Sequence, residues 1–197
     1  MSKIFGSLIY STYLRRVKHL KKHNMKVGNL EVTLKNIHTF EGHEGVGMNA
    51  DVYVNGVKTF HYLDDANGGG GWPNGVFNRE LMDVLDAEIE KMPPTPYDFG
   101  GDFKGEAKFD YDTMVNTIHE EVEKAKFFKK RTKLCETAIV WGKPDADGYH
   151  YINFKRDLNT IPKAQIEKYI KEKIVLEEGE IIFNTNIDIE KPVPILK

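Results

Sequence analysis

The residues Asp64 and Asp65 lead through Ala66-Asn67 into four consecutive glycines, Gly68, Gly69, Gly70 and Gly71, and then Trp72, within the stretch DDANGGGGWPNGVF. Glycines carry no Cβ, so a run of them lets backbone N–H groups come close to an anion. Trp72 adds a flat apolar surface that a base or another protein would cover. The spacing is not that of a nucleotide-binding fingerprint. No GxxxxGK[ST] is present, no lysine follows to hold a phosphate, and the preceding strand comes from a hairpin, not from a βαβ unit. With His43, these residues are the candidate binding set. They form either a recognition loop anchored by Trp72 or a connector between a strand and a helix.

A second grouping is His43, Glu44, His61, Asp64 and Asp65, whose side chains are good zinc or manganese ligands. No HExxH or HxH spacing accompanies them, so they read as turn and sheet-surface residues, with His61 on the inner face of its strand. No metal or other cofactor is expected. Cys135 has no evident histidine partner, and no GxSxG surrounds a serine. Asp83, Asp86, Glu88 and Glu90 are spaced as the solvated face of a helix. No catalytic residue is assigned.

The elements that must position these side chains follow from periodicity. Leu30, Val32 and Leu34 alternate with Glu31, Thr33 and Lys35, and Ala50, Val52 and Val54 alternate with Asp51 and Tyr53. Asn55-Gly56 is a strong hairpin signal, since both positions tolerate positive φ. The return strand places Val57, Thr59, His61 and Leu63 on one face and Lys58, Phe60 and Tyr62 on the other. Residues 30–63 are therefore predicted to form a three-stranded antiparallel meander. A helix follows, with Phe77, Leu81, Val84, Leu85, Ile89 and Met92 as its buried stripe and Pro93 to Pro96 ending it. Residues 97–109 read as an exposed loop. A second helix buries Met114, Val115, Ile118, Val122 and Ala125, and Lys129, Lys130 and Arg131 complement the dipole at its end. A hairpin over residues 136–155, a third helix capped by Thr160, and a short strand in EIIFNTN complete the order. Hairpins and helices in separate runs predict an α+β fold, an antiparallel sheet with helices on one face.

Composition is that of a globular chain: 197 residues, 40% apolar, 29% charged and a single cysteine. No apolar run approaches the ~20 residues that span a bilayer. The net charge of −2 hides an asymmetry, because residues 1–29 hold seven lysines and arginines and no acid. Phe5, Ile9, Tyr13, Val17 and Leu20 recur at helical spacing within that segment. The expected organisation is a basic amphipathic helical extension over residues 1–28, a single α+β domain over 29–190 and a C-terminal arm over 191–197. The basic end reads either as an arm for phosphates, anionic lipid or an acidic partner, or as a segment that packs on its own acidic body.

The segment VTLKNIHTFEGHEGVGMNADVYVNGVKTFHYLDDANGGG, followed by a helix, and KKRTKLCETAIVWG leading into a hairpin, together resemble small uncharacterised proteins of bacteriophages and mobile genetic elements. In that pattern a strand with Lys-Asn-Ile precedes Asn-Ala-x-x-Tyr-x-(Asn/Asp)-Gly and a polar glycine-rich loop. The extra residues before Met25 depart from it. The resemblance implies a phage or mobile-element origin and no particular chemistry. The expectation is a non-enzymatic protein that binds a protein partner in the cytoplasm of a bacterial host, as a host-takeover or counter-defence factor, or that docks into a virion. The alternative is a small-nucleotide-binding protein or metal-dependent hydrolase using the glycine loop. Nucleic acid is not expected as a partner.

Overall fold

The computed structural model describes residues 24–98, 100 and 104–188. The helix expected between Phe5 and Leu20 lies outside them, as does the C-terminal arm. The packing sorts the described residues into two compact units, one within residues 24–123 and one within 124–188. The fold is α+β, with antiparallel sheets and three helices among the described residues.

The first unit is built on a five-stranded sheet in the order β1 (Asn24–Val27), β2 (Leu30–Gly42), β3 (Gly45–Val54), β4 (Val57–Asp64) and β5 (Trp72–Val76), with every neighbour antiparallel. The expected meander is its centre, turning at Asn55-Gly56, where both residues have positive φ (48° and 83°). The sheet gains a strand on each side. Residues 24–27, assigned from sequence to a helical extension, pair with Leu30–Thr33, and Gly28 turns the chain between them at φ 57°. Only four residues long, β1 is too short to announce a period of two. On the other side, Trp72–Val76 returns along β4, so the glycine run joins two strands. Pro73 sits within that outer strand, opposite Tyr62.

One face of the sheet is packed. Val32, Leu34, Ala50, Val52, Val54, Phe60 and Tyr62 meet Met82, Leu85 and Ile89 of α1 (Arg79–Ile89) and Met114, Val115, Ile118 and Val122 from the start of α2 (Tyr111–Leu134). Asn78 caps α1 by accepting from Leu81 N–H. The buried stripe of α1 runs through Met82, not Val84, which is 48% exposed, and Phe77 lies outside the core. Residues 97–109 are not simply loop: Thr95–Asp98 (β6) and Lys104–Ala107 (β7) pair as a hairpin.

The second unit holds the sheet β10 (Ile181–Ile182), β8 (Ala138–Gly142) and β9 (His150–Asn153), with α3 (Lys163–Lys173) burying Ile166 and Ile170. Pro162, not Thr160, occupies the cap position of α3; Thr160 instead closes a 3-10 turn by donating to Asp157 O. The strand expected in EIIFNTN is only two residues long. Beyond it Asn184, fully buried, accepts from Val140 N–H and donates to the carbonyls of Cys135 and Ala138. One side-chain amide thus satisfies three backbone groups that no strand reaches.

Candidate binding site

The face of the five-stranded sheet away from α1 and α2 can be read from the register, because directly opposed residues share a face. Thr33, Tyr53 and Lys58 form one row across it; Lys35, Asp51 and His61 form the next. His38, Asn49, Leu63 and Trp72 form a third, and Phe40 lies beside Gly47 in a fourth. His61 therefore points to this face and not into the core. A bulge explains the difference: the pairing shifts between Val52 with Phe60 and Tyr53 with Lys58, so Thr59 is an extra residue and the alternation reverses beyond it.

Asp51 is the centre of this face. Its carboxylate accepts from Asn36 Nδ2 at 2.8 Å, Lys58 Nζ at 2.9 Å and His61 Nδ1 at 3.0 Å. Asn36 reaches it from a second bulge, between Lys35 and His38, where it takes a positive φ of 51°. Although it lies on the side opposite the core, Asp51 is only 7% exposed. Burial raises its pKa, but the hydrogen bonds from Asn36, Lys58 and His61 outweigh burial and hold it down at about 2. The carboxylate is a fixed negative charge at neutral pH. Sequence reading placed Asp51 on the polar side of its strand but had no signal for its partners, which meet it only through two bulges.

Around Asp51 stand rings and cations. Trp72 is 43% exposed, Phe40 37% and Phe77, just past β5, 61%. Lys35 Nζ lies 4.0 Å from the centre of the Tyr53 ring, and Lys58 Nζ lies 4.3 Å from that of Phe77.

The glycine loop lies at one end of this sheet, and its geometry accounts for much of its sequence. Asp64 accepts from Ala66 N–H and Asp65 from Asn67 N–H, so both carboxylates close turns of their own chain. Gly71 N–H donates to Asp112 Oδ1 at 3.0 Å, and Tyr62 Oη donates to the same oxygen at 2.5 Å. Burial and the adjoining Asp112 charge push the Tyr62 pKa far upward, keeping the phenol a donor. A Cβ at Gly71 would come within 2.1 Å of Tyr62 Oη. One at Gly68, whose φ is +81°, would come within 2.1 Å of Glu44 Oε2. Gly70 has Asp112 at contact distance, and Gly69 has open space. Glu44 N–H donates to Ala66 O, which fastens the β2–β3 turn, carrying His43, to this loop.

The loop thus brings Asp64, Asp65, Glu44 and the residues flanking Trp72 into one region, while His61 belongs to the Asp51 network. Among the described residues, no group of three or more His, Cys, Asp and Glu side chains is placed to hold a metal ion. Cys135 is buried, and its carbonyl accepts from Asn184 and Asn186. No helix among the described residues is long and apolar enough to cross a membrane. No family model, curated protein or solved structure matches this chain.

Proposed function

We propose that this chain is a non-enzymatic binding protein that recognises a protein partner through the sheet face opposite its helices, with Trp72 as the anchor. The observation that carries the reading is the position of Trp72. It sits on a strand, paired with Leu63, yet 43% of its surface is exposed on the same face as Phe40. A broad sheet face with exposed rings suits another protein surface, whereas small molecules favour concave pockets. The glycine loop offers a nucleotide little by comparison, because the Ala66, Asn67 and Gly71 N–H groups already donate to the protein's own carboxylates. The resemblance to phage and mobile-element proteins suggests the setting: a bacterial host protein as target, or a virion protein as dock.

Trp72→Ala tests this directly. Partners would be captured from infected bacterial cells on the wild-type chain, identified, and titrated against both proteins. An aromatic anchor contributes ~2 kcal/mol or more, so affinity should fall about tenfold or more. Stability should change by less than about 1 kcal/mol, since the ring is not core. A sharp loss of stability with binding intact would overturn the assignment.

A further inference from the structure

We infer that the segment of the partner lying on this face is an acidic peptide, drawn to Lys35 and packed against Trp72; this rests on the reading above. The argument is charge complementarity. Across the rows between Thr33 and Trp72 the basic and acidic residues are Lys35, Lys58, His38, His61 and Asp51. Asp51, the single acid among them, is nearly buried and already bound by Asn36, Lys58 and His61. Lys35 is exposed, and Lys58, partly exposed, holds its ammonium 2.9 Å from Asp51 and offsets that carboxylate's charge, so Lys35 is the cation an approaching ligand meets.

Positive charge beside aromatic rings would also suit a single-stranded nucleic acid, which stacks its bases on open ring faces. Here two of the rings have a lysine over them, Tyr53 under Lys35 and Phe77 under Lys58. A base would have to displace an ammonium group from each. A carboxylate does the opposite, adding an ion pair to a lysine already held in place by the ring. The chain's own first 23 residues are a poor occupant, because their lysines and arginines are unaccompanied by any acid.

The test is calorimetric titration of the full chain with poly-L-glutamate, poly-L-lysine and oligothymidylate at low and high salt. Poly-L-glutamate should bind, weaken as salt screens the charges, and lose at least about tenfold in affinity with Lys35→Glu. Lys35→Gln should lose less. Thermal unfolding checks that both variants fold, and Lys35→Gln decides if Lys35→Glu does not. Poly-L-lysine should not bind. Failure of poly-L-glutamate to bind, equal binding of poly-L-lysine, or no effect of either Lys35 variant overturns the inference. Tighter binding of oligothymidylate overturns it in favour of a nucleic acid. Failure here leaves the Trp72 result standing: a captured protein that needs Trp72 but ignores Lys35 supports the binding face and rejects the acidic segment.

Discussion

Asp51 illustrates how two bulges can decide the state of a charged group several residues away. Its folded pKa of about 2 lies below the ordinary 3.8, so the folded state holds the carboxylate charged more strongly than the unfolded chain does. The stabilisation is complete above pH ~5 and is lost as pH falls through ~4 toward ~2. Its size is about 2 kcal/mol at most, because Lys58 is partly exposed and water screens that pair. Urea unfolding of the wild type and Asp51→Asn between neutral and acid pH should show a stability gap that is constant above pH ~5 and shrinks below pH ~4. A gap independent of pH would mean that Asp51 is not the group involved. Arg131 gives the contrasting lesson. Placed from sequence among the basic residues complementing the end of α2, it is 1% exposed, with its guanidinium 3.8 Å from the Phe183 ring centre and 4.6 Å from that of Phe128. Its position in the last turn suits the helix dipole, and three aromatic rings, including Phe127, hold it inside.

Among the elements, the β4–β5 connection separates glycines that the fold requires from those it does not. Gly71→Ala drives a methyl group into Tyr62 Oη, one donor of the Asp112 pair, and should cost about 1–3 kcal/mol. Gly69→Ala meets open space and should be neutral or slightly stabilising, within about 1 kcal/mol. Thermal unfolding of the two variants checks this; equal effects would make the glycine run a uniform linker. Strong local signals were legible in the sequence: the Asn55-Gly56 turn, the alternation of β2 and β3, the apolar face of α2 and part of that of α1. What escaped had no local signal. The four residues of β1 show no period, β5 contains Pro73 and Gly75, and the Thr59 bulge inverts the facing of His61 without changing any composition. Of the candidate residues, Trp72 could be read from sequence as a recognition anchor or as part of a connector; it lies on a strand and is 43% exposed. The Asp51 network could not be read, because its members meet only across three strands.

At the scale of the whole molecule, each unit has a core of its own, one around Leu85 and Phe60, the other around Ile139 and Ile166. Leu85→Ala removes a fully buried side chain and should cost the first unit about 2–5 kcal/mol. Native-state hydrogen exchange should then show lost protection in Ala50–Val54, with Ala138–Val140 changed little. Equal loss in both strands would make the chain a single cooperative body. The outer strand β5 has a further consequence for molecules at high concentration. A rim strand with unused backbone groups is a template on which another chain can stack and grow into fibres. Pro73 contributes no N–H, and Gly75, at a φ of 111°, bends the strand away from a flat ladder. Trp72 can therefore remain uncovered while awaiting a partner, beside an edge that discourages amyloid-like stacking.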